Sequence, residues 1–135
     1  MNIYPVKPPL TETSKLMYEW LTSFHLNPRQ LTEDEREANE VTNTIDENGE
    51  EQITEAWTAD DAFYHHSNPL TEDNYGNMVS CIVRSKYSAD AVEAIQLNYL
   101  NEQTAEHIAE MNALQRWREE AKQAAREAIN NVTQE

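Results

Sequence analysis

A helix-start pattern recurs along this chain and constrains its fold more than any other feature. An apolar residue, then Thr or Ser, then acidic or small residues occur five times: LTET at Leu10, LTEDE at Leu31, WTADD at Trp57, LTEDN at Leu70 and YSADA at Tyr87. The hydroxyl can accept a hydrogen bond from a free backbone N–H at a helix start, and first-turn acids suit the positive end of the helix dipole. Thr32 with Glu35 has capping-box spacing, and Thr58 with Asp61 is a shorter-armed version. Five such starts predict a mainly α fold.

Apolar spacing assigns the first three helices. One helical face is formed by Leu16, Met17, Trp20, Leu21 and Phe24. Pro28 ends that helix, because proline cannot continue the backbone hydrogen bonding. Thr32 opens a short acidic helix to about Glu40. The run Met78–Val83 predicts a helix from about Glu72 to Lys86, although so short an apolar run also fits a buried strand.

The C-terminal part of the chain predicts a helical hairpin. Ser88 opens a helix that reaches Leu100, and the longest helix begins near Thr104. Its apolar stripe spans 24 residues in seven steps, about 3.4 residues per step, close to a coiled-coil seam. The stripe consists of Ile108, Met111, Leu114, Trp117, Ala121, Ala125, Ala128 and Val132. We expect one small helical domain over residues 1–135, with an N-terminal segment 1–31, an acidic segment 32–66 and a helical region 70–132.

Residues 41–55 break the helical pattern. Asn48-Gly49 between β-branched residues is a strong short-range signal for a β-hairpin. A two-residue turn would place Ile45 and Ile53 on different faces, whereas an odd-length loop would pair Ile45 with Ile53 and Val41 with Trp57. The second register is preferred because it buries apolar contacts. The alternative for this segment is a disordered acidic loop.

Negative charge is concentrated in residues 33–61. This segment holds twelve acidic residues and one base, Arg36, in a chain with a net charge of −15. Such a balance disfavours binding to nucleic acid or anionic lipid and suits a partner with a basic surface, although it also fits a solvated surface. The aromatic residues of the same region suit interface anchors, or core positions. The candidate partner-binding residues are Glu33, Asp34, Glu37, Asp46, Glu47, Glu50, Glu51, Trp57, Asp60, Asp61, Phe63 and Tyr64.

Candidate catalytic and metal residues lack the spacing that such chemistry needs. The adjacent His65 and His66 would point to opposite sides of an extended chain, so one metal would rarely take both. The pair His107 and Glu110 lacks the second Glu-x-x-His helix of a di-iron bundle. Cys81 lies in an apolar stretch, where an inert thiol is expected. Two glycines exclude the Gly-rich phosphate-binding motifs. We therefore expect no enzyme, cofactor or metal site.

Composition limits the cellular compartments in which we expect the chain. Apolar residues are 39% and the mean hydropathy is −0.84, so the surface is very polar. The N-terminal residues lack the basic and apolar regions of a secretory signal, and no run approaches the roughly 18 apolar residues of a membrane span. A single cysteine allows no internal disulfide, which fits a reducing compartment.

Residues 75–129 combine the segment YGNMVSCIVRSKYSADAVEAI, with its junction Arg84-x-Lys86-Tyr87-Ser88, and the following helix EMNALQRWREEAKQAAREAI. This combination resembles a family of small uncharacterised proteins of tailed phages and prophages. The resemblance implies no activity; it implies a location in the host cytoplasm or the virion. The expected function is a non-enzymatic protein–protein interaction, as a virion accessory or a head or tail assembly factor. The alternative is an acidic inhibitor of a host defence system that imitates nucleic acid.

The expected partners are other proteins, either phage structural proteins or a basic host protein. A second copy of the chain is a further candidate. The last helix carries Arg116, Arg118, Lys122 and Arg126. These bases balance the acids of that helix, or pair with the acidic segment of another copy.

Overall fold

The computed structural model describes residues 1–133, which contain five β-strands and four α-helices. The strands are β1 (Thr11–Lys15), β2 (Trp20–Gln30), β3 (Thr44–Ile45), β4 (Glu51–Gln52) and β5 (Trp57–His66). The helices are α1 (Glu33–Ala38), α2 (Tyr75–Lys86), α3 (Ala89–Asn101) and α4 (Ala105–Thr133). A 3-10 turn at Glu72–Asn74 leads into α2. Helix makes up 47% and strand 23%, so the fold is mixed α/β and the predicted mainly α fold is wrong.

Strands replace the first predicted helix. Strands β1, β2 and β5 form an antiparallel sheet in the order β1–β2–β5, and β1 pairs with β2 from Thr11 opposite Phe24 to Lys15 opposite Trp20. The predicted helix placed Met17 on an apolar face, but Met17 lies in the turn between the strands and is 84% exposed. The buried residues of β2 include Thr22, Phe24 and Leu26, which follow the two-residue period of a strand.

The helix starts predicted at Leu10 and Trp57 are wrong for a related reason. Their threonines, Thr11 and Thr58, lie in β1 and β5. Threonine can cap a helix, but its branched Cβ also suits a strand. Pro28 likewise ends no helix, since it lies within β2 after Asn27, whose φ is +51°.

The other predicted helix starts are confirmed. Thr32 Oγ1 accepts from Glu35 N–H at 3.2 Å while the Glu35 carboxylate accepts from Thr32 N–H at 2.9 Å, which is the predicted capping box. Thr71 Oγ1 accepts from Asp73 N–H at 3.3 Å and caps the 3-10 turn Glu72–Asn74, so α2 itself begins at Tyr75, three residues later than predicted. Ser88 Oγ accepts from Ala91 N–H at 3.0 Å. Thr104 Oγ1 accepts from His107 N–H at 3.2 Å before α4.

The β3–β4 hairpin forms in neither predicted register. Thr44 lies opposite Gln52, and Ile45 lies opposite Glu51 rather than Ile53. The connecting residues are held by Asp46, whose carboxylate accepts from the backbone N–H groups of Asn48 and Glu50, each at 2.9 Å. These hydrogen bonds fix the register in place of the apolar contact that the sequence suggested.

The described chain divides into two compact units. Unit 1 comprises Met1–Pro9 and His25–Asp60; unit 2 comprises Leu10–Phe24 and the chain from Asp61 onward. Unit 1 has a small core, which includes Leu26, Leu31 and Ala56. Its N-terminal segment is held by Tyr4, whose backbone N–H and C=O both pair with Trp57 at 2.8 Å.

Unit 2 is built around α4, which contacts α2, α3 and β1. The contact of α3 with α4 confirms the predicted pairing of the last two helices, although α3 contains no buried residue. Trp117 Nε1–H of α4 donates to the backbone carbonyl of Ile82 in α2 at 3.2 Å. The buried face of α4 consists of Leu114, Trp117, Ala121, Ala124, Ala125, Ala128 and Ile129. No helix within residues 1–133 is long and apolar enough to cross a membrane.

Candidate protein-interaction site

The predicted partner-binding residues are divided between the two units. Unit 1 holds Glu33, Asp34 and Glu37 on α1, Asp46, Glu47, Glu50 and Glu51 on the hairpin, and Trp57 and Asp60 on β5. Unit 2 holds Asp61, Phe63 and Tyr64. Unit 1 carries eleven acidic residues against Lys7, Arg29 and Arg36, a net charge of −8.

Both arginines of unit 1, Arg29 and Arg36, form hydrogen bonds within that unit. Arg29 donates from Nη1 and Nη2 to the two carboxylate oxygens of Glu35, at 2.7 and 2.8 Å. This fork, together with the capping hydrogen bond from Thr32, holds the pKa of Glu35 at about 2, well below 4.5. Glu35 is therefore ionised at neutral pH, and its charge is paired.

Arg36 joins α1 to the base of the hairpin. Its Nη1 donates to the carbonyl of Thr54 at 2.7 Å, and its Nη2 donates to Asn43 Oδ1 at 3.0 Å. Asn43 in turn donates from Nδ2 to Glu51 at 3.1 Å. A guanidinium with several donors can satisfy acceptors from different segments at once. One side chain thus fixes the acidic helix beside the acidic hairpin.

Asp46 has a structural role within the hairpin. Besides the two backbone N–H groups, Gln52 Nε2 donates to its carboxylate at 3.0 Å. These hydrogen bonds favour the ionised form, so the pKa of Asp46 lies below its usual value, with the Glu50 backbone N–H as the largest cause. Because the Asp46 carboxylate already accepts hydrogen bonds within the hairpin, we assign contact with a partner to the neighbouring acids Glu47, Glu50 and Glu51 instead.

Two isoleucines are exposed among these acids. Ile45 is 74% exposed and Ile53 is 80% exposed. Ile45 lies opposite Glu51 in the β3–β4 pairing, and Ile53 directly follows β4, two residues after Glu51. The sequence interpretation missed these two residues because it assumed that they would be buried against each other. We call Ile45, Glu47, Glu50, Glu51 and Ile53 the hairpin surface.

The aromatic candidates differ in exposure and contacts. Trp57 is half-buried and its Nε1–H donates to Glu55 at 3.2 Å. Tyr64, in unit 2, accepts from Asn74 Nδ2 at 3.0 Å and its ring stacks on His66 with centroids 5.1 Å apart. Phe63 is exposed. At 45% exposed, Phe63 is the most accessible of these three aromatic residues.

The histidines of β5 serve the packing of unit 2. Nδ1 of the buried His66 is 2.7 Å from the Asn68 carbonyl, which can only accept, so Nδ1 donates. In the neutral ring Nε2 then accepts from the Thr22 hydroxyl at 2.9 Å. His65 Nδ1 lies 2.8 Å from Glu19. Among residues 1–133, no three or more His, Cys, Asp or Glu side chains are grouped for a metal ion.

Cys81 is placed as a packing residue. Its thiol donates to the Phe63 carbonyl at 3.3 Å, and burial raises the pKa of the thiol. A raised pKa lowers the fraction of reactive thiolate at neutral pH.

Comparison of the chain with protein-family models, with curated proteins and with solved structures finds no match.

Proposed function

We propose that this chain is a non-enzymatic interaction protein that binds a basic surface of another protein through the hairpin surface. The observation that carries the proposal is the exposure of Ile45, which lies opposite Glu51 in the hairpin, and of Ile53, which directly follows β4. Exposed aliphatic side chains supply the apolar contact of an interface, and the surrounding carboxylates supply charge complementarity and orientation. The acids of α1, fixed beside the hairpin by Arg36, extend the negative surface.

The resemblance of residues 75–129 to small phage and prophage proteins suggests the setting. The proposed role is a virion accessory protein or a head or tail assembly factor, and the partner is a phage structural protein with a basic surface. The alternative role, imitation of nucleic acid, needs carboxylates spread over a long face. Eight of the eleven acids of unit 1 instead lie on a six-residue helix and on a hairpin with two-residue strands, which favours the assembly role.

Site-specific photo-crosslinking tests the proposal. A benzophenone amino acid replaces Ile45 in one variant, and in the matched control it replaces Met17, which is equally exposed but lies in unit 2. Cells that produce the phage particles are irradiated, and the products are identified by mass spectrometry. We expect position 45 to give discrete products with a structural protein of basic surface, which weaken at high salt because screening reduces charge pairing.

Competition with unlabelled protein tests whether the crosslinked products depend on the two isoleucines. Excess unlabelled protein should suppress the products, whereas the double variant Ile45→Ser, Ile53→Ser should not. Identical products from positions 45 and 17, or full competition by the double variant, would contradict the proposal. Crosslinks to a nuclease that added DNA displaces would instead support the defence-inhibitor alternative.

A further inference from the structure

A pocket of about 300 Å³ lies among α2, α3 and α4 in unit 2. Its apolar part is formed by Val79, Val83 and Val92, with Ala89 beside them. Its polar part is formed by Ser80, Arg84 and Arg118. Ligand pockets commonly combine an apolar lining with a few convergent polar groups, and this one adds two positive charges.

The two arginines of the pocket are unpaired although the chain is strongly acidic. Acidic residues outnumber Lys and Arg by 25 to 10. Arg29 pairs with Glu35, and Arg126 donates to both carboxylate oxygens of Glu72 at 2.7 Å. Within residues 1–133, neither Arg84 nor Arg118 makes a hydrogen bond or ion pair.

The burial and contacts of Arg118 distinguish it from the paired arginines. Arg118 is half-buried as a residue and lines the pocket, and no carboxylate within residues 1–133 pairs with it. The sequence suggested that Arg118 balances the acids of its own helix or pairs with another copy; in α4 Lys122 pairs with Glu119 at 3.2 Å, whereas Arg118 forms no such pair. The guanidinium of Arg118 therefore has free donors at the edge of an apolar pocket.

We propose that this pocket binds the carboxylate of a small organic acid that carries a compact apolar group. The guanidinium groups of Arg84 and Arg118 bind the carboxylate, because the planar fork of arginine matches the geometry of two carboxylate oxygens. The Ser80 hydroxyl supplies a further donor, and the apolar group packs on the three valines. The proposal is independent of the hairpin surface, which lies in unit 1.

Titration with phenylacetate, followed by NMR, tests this site. We expect chemical-shift changes at the methyl groups of Val79, Val83 and Val92, with a dissociation constant on the order of 1 mM for a ligand of so few atoms. Phenylacetamide has the same shape without the charge and should bind at least about ten-fold more weakly, since a hydrogen bond to a charged group is stronger than a neutral one.

Matched variants assign the binding to the pocket. Arg118→Gln should weaken phenylacetate binding about ten-fold or more, whereas Arg116→Gln, on the same helix outside the pocket, should leave it unchanged. Ala89→Phe places a large side chain in the pocket from an exposed position, leaves both arginines in the sequence, and should abolish the methyl shifts. The backbone spectrum of each variant shows whether it is folded.

Four results would overturn the proposal. They are equal binding of phenylacetamide, equal weakening by Arg116→Gln, retained binding in folded Ala89→Phe, and the absence of methyl shifts at saturating phenylacetate. Inorganic phosphate that binds as tightly as phenylacetate would also overturn it, since the apolar lining would then contribute nothing.

Discussion

Glycine stands at two positions in the chain, and the backbone requires it at one of them. Gly49 lies in the hairpin loop with a φ of +80°, where a Cβ is strained. Gly76 lies in α2, and a Cβ built there meets nothing within 4 Å. The same substitution should therefore have opposite effects at the two positions.

We expect Gly49→Ala to lower the free energy of unfolding by about 1 kcal/mol, the cost of a left-handed conformation for an L-residue. Gly76→Ala should raise it by about 0.5–1 kcal/mol, because alanine loses less conformational freedom in a helix. Urea denaturation of the two variants measures both values. If both substitutions change the free energy of unfolding in the same direction, then either Gly49 does not have a positive φ or Gly76 does not lie in a helix.

The Arg29–Glu35 pair predicts a pH dependence. The pKa of Glu35 is about 2 in the folded chain against 4.5 for the unpaired group, so the ionised form is favoured by folding. Its contribution to stability is complete above pH 4.5 and is lost as the pH falls from 4.5 through about 2. Glu35→Gln removes the charge and keeps a side chain that can complete the capping box.

The expected result is a stability difference between the parent chain and Glu35→Gln that is present at neutral pH and vanishes toward pH 2. Denaturation curves at a series of pH values measure it. Glu37→Gln removes a carboxylate from the same helix without touching Arg29, so its difference should stay small throughout. A difference for Glu35→Gln that does not change with pH would exclude the charge pair as its cause.

At the scale of elements, the alanine residues of α4 determine how closely its neighbours pack. Ala121, Ala124, Ala125 and Ala128 are all buried, so their methyl groups leave no room for longer side chains. We expect Ala125→Leu to destabilise the chain by about 1–3 kcal/mol through overpacking. Ala113→Leu, at an exposed position of the same helix, should change stability by less than about 0.5 kcal/mol. Thermal unfolding compares the two, and equal effects would mean that α4 packs on another face.

Local hydrogen bonding explains which elements could be predicted from the sequence. The helix starts at Thr32, Thr71 and Ser88 were predictable because each capping hydrogen bond joins groups at most three residues apart. Both partners of the hydrogen bond are therefore visible in a short sequence. The pairing of β1 with β2 joins residues up to 13 positions apart, as with Thr11 and Phe24, and β2 also pairs with the more distant β5. The helical spacing of Leu16–Phe24 did not reveal this pairing.

The candidate site was predictable in part for the same reason. Acid density in residues 33–61 is visible in composition, and the structure leaves Glu33, Asp34 and Glu37 exposed. The exposure of Ile45 and Ile53 was not visible, because it follows from a register set by the Asp46 carboxylate. The convergence of Arg84 and Arg118 on one pocket depends on the packing of α2 against α4, which no local pattern encodes.

At the scale of the whole molecule, the two units differ in how much they bury. Helix α1 contains no buried residue, and both strands of the hairpin are exposed along their length. Unit 2 contains the seven buried residues of α4 between Leu114 and Ile129, together with Met78 and Ile82 of α2. Because local stability follows buried apolar contact, unit 1 should open more readily than unit 2.

Native-state hydrogen exchange tests this difference amide by amide. The amides of Asn39 and Asp46, which donate to Glu35 and Glu50 in unit 1, should open at a free energy at least about 3 kcal/mol below that of amides near Leu114 and Ala125. Helix α3 is the control, because it is exposed but belongs to unit 2. If the opening free energies of the α3 amides lie between those of α1 and α4, exposure and membership of a unit each affect local stability. A single opening free energy for α1, α3 and α4 would mean that the two units unfold together, and the small core of unit 1 would then be as stable as the helical core.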